Sequence, residues 1–343
     1  MSLKVAVVGT GFFSQFHYDA WTRLPGVRLV GAASLDPAGL DTISQRFGID
    51  DLFDDVATML DATEPDLLDI AAPPNAHQTL LDAAASRGVH VICQKPLGGD
   101  LNTAEAMVEQ AEAAGIVFAV HENFRFQPWY REAKQVIESG ALGEVTNISF
   151  RLRPGDGQGP NAYLDRQPYF QTMKRFLVHE TAIHLIDSFR YLMGEVTGVF
   201  AHLRKLNPVI AGEDSGHLLL SFDSGATGLF DGNRLIGFPA ANPRLTMGEL
   251  LLEGVSGTLR LDGNGRLWRR GHQGDEEPHI YQWHDIGFGG DCVLALQRHV
   301  LAHLMEGEPL ENSGRDYLKN LKIEELIYQS AAQKRFLSIE DCG

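Results

Sequence analysis

Short, unbroken apolar runs alternate with longer mixed stretches at the start of the chain, at 5–8, 29–33, 67–71, 89–93 and 117–120. A strand that is apolar at every position is buried on both faces, which predicts a parallel sheet covered by helices. The stretches 75–88 and 102–115 have the length of crossover helices, and each closes at a glycine. Beyond Pro128 the texture changes. A helix is predicted over 128–139, closed by Gly140; 145–153 alternates apolar and polar positions, and 212–230 holds strand-like runs broken by glycine. Over 245–267 the pairs Glu253-Gly254, Asp262-Gly263 and Asn264-Gly265 punctuate hairpins. This part reads as a mostly antiparallel sheet, covered by long helices over 290–305 and 316–335. The piece 153–160, rich in glycine and proline, reads as a mobile loop. A domain boundary is expected between 121 and 122.

At 343 residues the chain is long for a single core, which agrees with two domains. A formal charge of -16 argues against a nucleic-acid footprint, and it means that an anionic ligand must be held by local donors. No signal-peptide layout precedes the first strand and no apolar run approaches a membrane span. Three widely spaced cysteines, Cys93, Cys292 and Cys342, imply no disulfide framework. A cytoplasmic protein without membrane partners is expected.

Chemistry enters directly after the first strand, at Gly9-Thr10-Gly11-Phe12-Phe13-Ser14. In a strand-turn-helix unit, Gly9 permits the tight turn and Gly11 lets backbone approach a pyrophosphate at the following helix N-terminus. Ser14 stands where Gly or Ala usually provides close helix–strand packing. At the end of the second strand an NAD site usually carries a carboxylate for the ribose hydroxyls. Ser34 occupies that position, followed by Leu35 and Asp36. Asp36 either reaches the ribose or caps a helix beginning at Pro37, and the choice between NAD and NADP stays open. A lysine, Lys95, emerges from the end of another buried strand between Gln94 and Pro96.

Further along, Glu180, His184 and Asp187 are spaced four and three apart, along one face of a helix. A carboxylate beside a histidine fixes its tautomer and suits it to proton abstraction from a hydroxyl. His179 and His184 are five apart rather than four, so they point in different directions on an α-helix and no zinc motif, nor any other metal site, is expected.

Taken in order, the glycine turn, Ala72-Pro73-Pro74-Asn75-Ala76-His77, Lys95-Pro96, Phe124-Arg125-Phe126 with Pro128, and His184-Leu185-Ile186-Asp187 before Arg190-Tyr191-Leu192 resemble one family. It is that of glucose-fructose oxidoreductase, inositol dehydrogenase and the rhizopine-catabolism proteins, and the likeness runs through nearly the whole chain. The resemblance implies an α/β protein: a Rossmann-type dinucleotide-binding domain over 1–121, then a substrate-binding and oligomerisation domain over 122–343. The second domain would be an α/β domain on a large, mostly antiparallel open sheet, through which a homodimer or homotetramer would form. It implies NAD or NADP near Gly9, Gly11, Phe12, Phe13, Ser34, Asp36, Pro73, Asn75, His77, Gln94 and Lys95. The family's Glu-Lys-Pro lysine and Asp-x-x-x-His histidine map onto Lys95 and His184. Two positions depart from the pattern: Gln94 replaces the glutamate and brings no charge, and Glu180 replaces the aspartate with its carboxylate one methylene further out.

The expected reaction is hydride transfer between nicotinamide and a carbinol carbon of a sugar, polyol or sugar acid. His184 would act as acid/base, Lys95 would stabilise charge on the reacting oxygen, and Glu180 would orient His184. Substrate candidates are Arg125, Tyr163, Gln167, Tyr169, His179 and Asp187, with Asp165, Arg166, Trp283 and His284 as further polar or aromatic neighbours. The alternatives are an enzyme of the same fold that uses tightly bound NAD transiently, in a glycosidase or isomerising reaction, and a non-catalytic dinucleotide-binding regulator.

Overall fold

Six parallel strands form the first sheet: β1 (Leu3–Val8), β2 (Val27–Ala33), β3 (Leu52–Phe53), β4 (Leu67–Ile70), β5 (His90–Gln94) and β6 (Phe118–His121). Their order is β3-β2-β1-β4-β5-β6. Helices α1 (Ser14–Arg23), α2 (Pro37–Phe47), α3 (Val56–Thr63), α4 (His77–Ala85) and α5 (Leu101–Ala113) connect them. The order reverses between β1 and β4, and in such sheets the ligand crevice opens beyond the carboxyl ends of strands at that switch. The five apolar runs of the sequence are β1, β2, β4, β5 and β6. Sequence pattern did not reveal β3 and α3, because two and eight residues are too short to show a period.

The computed structural model describes residues 2–341, and contacts divide these into two compact units. One comprises the residues up to Asn123 with Cys292–Lys319; the other comprises Phe124–Asp291 with the residues from Asn320 onward. Cys342 lies outside the described residues.

In the second unit, α6 (Pro128–Glu138) leads into β7 (Val145–Leu152), and α7 (Ile183–Met193) precedes the strands β8 (Val196–Arg204), β9 (Ser215–Phe222) and β10 (Thr227–Asn233). The meander β11 (Gly248–Gly254), β12 (Gly257–Leu261), β13 (Leu267–Gly271) and β14 (Glu277–His279) follows, and β15 (Leu337–Ser338) closes the far edge. The nine strands lie in the order β14-β13-β12-β11-β7-β10-β9-β8-β15, antiparallel except for β7 and β10. Asp262 sets the β12–β13 turn by accepting from the Asn264 and Arg266 amides at 2.9 and 3.0 Å. One sheet face packs on α6 and α7 through residues such as Phe150, Phe189, Leu218 and Phe230. On the other face Phe200, Leu219 and Leu229 stay exposed and stand opposite one another in one cross-strand row.

Two expectations are corrected. Of the two long helices expected over the antiparallel sheet, α8 (Cys292–Glu306) belongs to the first unit, and so does the start of α9 (Gly314–Gln333). The buried Gln297 of α8 donates to the His17 carbonyl at 3.3 Å, and the segment before α9 lines the β6 edge through Val120 N–H to Asn312 O at 2.8 Å. An amphipathic pattern shows that a helix buries one face, not which sheet receives it. The glycine-rich piece after β7 is tied down rather than loose. Arg153 is buried and its guanidinium bonds the carbonyls of Leu152 and Asp231, while Asn207 Nδ2 donates to the Gly157 and Gly159 carbonyls. No helix among the described residues is long and apolar enough to cross a membrane.

Gly9 sets the spacing between β1 and β4. Its φ is +114°, and a Cβ there would lie 2.3 Å from the Ala71 carbonyl oxygen. Gly9→Ala is therefore expected to lower stability by at least ~1 kcal/mol, because neither the conformation nor the gap tolerates a methyl group. An unchanged thermal midpoint would contradict this.

Candidate active site

All the residues expected around a dinucleotide in the first unit lie in or just beyond the carboxyl ends of β1, β2, β4 and β5. Turning out of β1, the chain reaches Phe13 as the N-cap of α1, and the Ser14 hydroxyl donates back to the Gly11 carbonyl at 2.7 Å. Phe12 is exposed. A Cβ placed on Gly11 would meet nothing within 4 Å, so the turn leaves an open cradle there. Such a cradle at a helix N-terminus fits a pyrophosphate.

Beside it, the Ser34 hydroxyl hydrogen-bonds the Thr10 hydroxyl at 2.9 Å and accepts from the Asp36 amide at 3.2 Å. Asp36 is the N-cap of α2 by backbone position, yet its side chain makes no cap hydrogen bond. The exposed carboxylate is thus not consumed in starting the helix. Beyond β4, Pro73 and Asn75 are exposed on a short 3-10 turn. His77 is fully buried, its Nε2 bonded to the Ala72 carbonyl at 2.9 Å, and burial lowers its pKa. It therefore braces the loop as a neutral side chain. At the end of β5, Gln94 turns its Oε1 onto the Lys95 amide at 2.8 Å, and Lys95 is half-buried before a cis bond to Pro96.

The second unit gathers its candidates around a π-helical turn, Leu177–Ala182, that runs directly into α7. In it the Ile183 N–H reaches the Val178 carbonyl, five residues back. Such widened turns occur often at functional sites. The widening also changes the expected geometry: Glu180 belongs to the π-turn while His184 and Asp187 belong to α7, so they do not share one continuous α-helical face. The His184 ring stacks on Phe124, with centroids 4.2 Å apart and planes 10° from parallel.

Asp187 and Arg125 hold each other. Arg125 donates from Nε and Nη2 to the Asp187 carboxylate at 2.7 and 2.6 Å, with both side chains buried. Asn320 adds a third bond to the same carboxylate at 2.7 Å. His179 is likewise engaged, its Nδ1 lying 2.7 Å from Glu324 Oε1. Tyr163 belongs to a small buried cluster with Phe170, Phe176 and Ile210. Its hydroxyl accepts from Arg234 Nε at 2.9 Å and lies 3.2 Å from Asp156, and burial pushes its pKa up. Gln167 donates to the Tyr169 hydroxyl at 3.1 Å, and Tyr169 is exposed. Arg166 faces Asp156 at 3.9 Å, and Trp283 packs edge-on against Trp129.

Five residues outside the sequence candidates fix this turn and the start of α7. Glu213 Oε1 accepts from the Phe176 and Val178 amides at 3.1 Å each and from the Tyr328 hydroxyl at 2.7 Å. Buried Arg234 donates to Thr181 Oγ1 at 2.6 Å and to Asp156. Asn320, Glu324 and Tyr328 recur every fourth residue on α9, and each meets the segment or its anchor. That polar stripe, running beside the buried apolar Ile323, Leu326 and Ile327, was the sequence signal for it.

Residues 3–122 match the model of an oxidoreductase family with an NAD-binding Rossmann fold, and 130–260 match a GFO/IDH/MocA C-terminal domain. The chain is 35% identical to D-apiose dehydrogenase of Paraburkholderia graminis, over 98% of this chain and 90% of that protein. Among solved structures, an oxidoreductase from Agrobacterium radiobacter in complex with NAD+, L-tartaric acid and magnesium superposes with a TM-score of 0.89 at 32% identity, over 99% of both chains. A levoglucosan dehydrogenase in complex with NADH and levoglucosan shares the fold, with a TM-score of 0.84 at 22% identity over 99% of this chain and 100% of that one.

Filling the cradle tests the dinucleotide site separately from the fold. Gly11→Val is expected to leave the thermal midpoint of the ligand-free protein nearly unchanged, because a Cβ at this position faces open space, and to abolish NAD binding by calorimetry. Wild-type affinity in this variant would move the pyrophosphate elsewhere.

Proposed function

We propose that this chain, which belongs to the glucose-fructose oxidoreductase, inositol dehydrogenase and rhizopine-catabolism (Gfo/Idh/MocA) family, oxidises a carbinol carbon of a small sugar or polyol with a nicotinamide dinucleotide. The observation that carries this reading is the open cradle at Gly11, directly after β1 of a sheet whose order reverses at that strand. When bound, the nicotinamide ring supplies the hydride acceptor. NAD rather than NADP is favoured, because the Asp36 carboxylate suits ribose hydroxyls and repels a 2'-phosphate. Gly11 to Phe13 would hold the pyrophosphate and Ser34 with Asp36 the adenosine ribose. Pro73 and Asn75 would line the dinucleotide, and His77 and Gln94 would brace the loops around it.

Lys95 would donate to the carbinol oxygen and stabilise negative charge growing there. His184, its ring plane set by Phe124, would take the hydroxyl proton, and Glu180 would orient His184 or bind a neighbouring hydroxyl. Arg125 and Asp187 serve by holding α7, since their charged groups are spent on each other. A sugar acid is the second reading for the substrate, favoured by the L-tartaric acid bound to the relative from Agrobacterium radiobacter. Buried, unbridged Cys93 and Cys292 suit a cytoplasmic enzyme.

Steady-state kinetics on a panel of sugars, polyols and sugar acids with NAD and NADP tests the assignment. Lys95→Ala is expected to lower kcat roughly 10²-fold and His184→Ala about 10² to 10⁴-fold, with NAD affinity nearly unchanged in both. Normal turnover in both variants would transfer the chemistry to other residues.

The exposed row Phe200, Leu219 and Leu229 supports a homodimer or homotetramer built on the open sheet face. Leu229→Glu is expected to shift the sedimentation coefficient to that of a monomer. An unchanged assembly would remove this face from the interface.

A further inference from the structure

Glu324 is 3% exposed, and only one of its carboxylate oxygens has a protein partner: Oε1 holds His179 Nδ1 at 2.7 Å, while the shielded Oε2 has none. A buried carboxylate half satisfied in this way is a poor device for stability, since one hydrogen bond returns only part of what its desolvation costs. It is an effective device for setting one imidazole. An ionised carboxylate only accepts, so Nδ1 carries a proton toward it, and whenever the ring is neutral Nε2 is the acceptor. His179 is 23% exposed, and its Nε2 bonds no protein group and is not among the shielded polar atoms without a partner. The ring thus has a fixed back and an open front.

The position of the ring is as constrained as its tautomer. His179 sits on the π-turn beside Glu180, one turn before His184. Glu213 fixes the start of that turn through the Phe176 and Val178 amides, and Arg234 fixes its end through Thr181. Two cations of this region have carboxylates of their own: Arg175, whose charge also acts on Glu324, is engaged with Glu325, and Arg234, which bonds Thr181 of the turn, with Asp156.

We propose that Glu324 is a positioning residue that sets His179 to accept a hydrogen bond from a hydroxyl of an uncharged sugar or polyol, and against the carboxylate of a sugar acid. The His179–Glu324 pair carries one negative charge with a neutral ring and none with a protonated one, so in neither state does it offer net attraction to an anion. A substrate hydroxyl can give its proton to Nε2 at no such cost. This rests on the oxidoreductase reading above and narrows its substrate class.

The test pairs kinetics with saturation-transfer NMR, which detects sugar binding to the NAD-loaded protein without turnover. Probes are neutral aldoses and cyclic polyols alongside the corresponding aldonic and uronic acids. Glu324→Gln and His179→Asn are each expected to raise KM for the neutral substrate about tenfold with kcat much less affected. The double variant should be little worse than either single one, because the two residues act as a unit. A merely structural pair would lower the thermal midpoint and leave KM unchanged. If Glu324→Gln does not fold, His179→Asn, which alters a partly exposed ring, carries the same comparison.

Unchanged KM in His179→Asn overturns the proposal while leaving the oxidoreductase reading intact. So does a wild type that prefers acids, with Glu324→Gln improving them further. Binding of a neutral polyol that depends on His179, in a protein that turns over none of the panel, would uphold the subsite and remove the oxidoreductase reading instead.

Discussion

One helix face governs the π-turn and α7 of the second unit. Asn320, Glu324 and Tyr328, successive turns of α9, are bonded respectively to Asp187, His179 and Glu213. Asn320 also accepts from Arg190 Nη1 at 2.7 Å, and Arg190 continues to Glu195 at 2.9 Å. Each bond satisfies a group that burial would otherwise penalise by a few kcal/mol. The consequence is mechanical: the π-turn and α7 cannot slide along α9 without leaving several buried polar groups unpaired at once. Removing one partner of the Arg125–Asp187 pair would cost about 3–5 kcal/mol, because the remaining charge stays buried. Residues proposed to meet substrate therefore project from a segment whose backbone is held at both ends.

That constraint explains why the two units differed in legibility. The parallel sheet could be read because its strands are apolar at every position, as in 67–71 and 89–93, and because Gly9 and Gly11 follow β1 directly. Its glycine turn, Ser34 and Lys95 could be placed from the pattern alone. In the second unit the strands of 145–153 and 212–230 and the hairpins showed equally well. The polar chemistry did not. Glu180, His184 and Asp187 have α-helical spacing, but the π-turn separates Glu180 from the other two, and nothing in residue spacing announces a π-turn. Asp187 and Arg125 looked like substrate ligands because a charged residue carries no mark of its partner, and here the partners lie 62 positions apart. Tyr163, attractive for its hydroxyl, instead serves the Arg234–Asp156 cluster.

The two departures from the family pattern have different standing in the structure. Gln94 spends its side-chain oxygen on the amide of Lys95, a local brace that needs no charge. Glu180 sits where the helix widens, which gives its longer side chain a different origin from an aspartate on a regular turn. A carboxylate–imidazole pair of the kind sought at Glu180 and His184 occurs one residue earlier, between His179 and a glutamate 145 positions away. Fixing an imidazole in this chain thus draws on tertiary packing as well as on helical spacing.

The proposed reaction moves a hydride and does more than hold a dinucleotide. The most direct measurement uses a sugar or polyol deuterated at the carbon to be oxidised, incubated with NAD and the protein, with the reduced cofactor examined by proton NMR. Deuterium at nicotinamide C4, on a single face of the ring and at one equivalent per turnover, is the predicted result. Product formed with no label on the cofactor and the deuterium lost to water would contradict it.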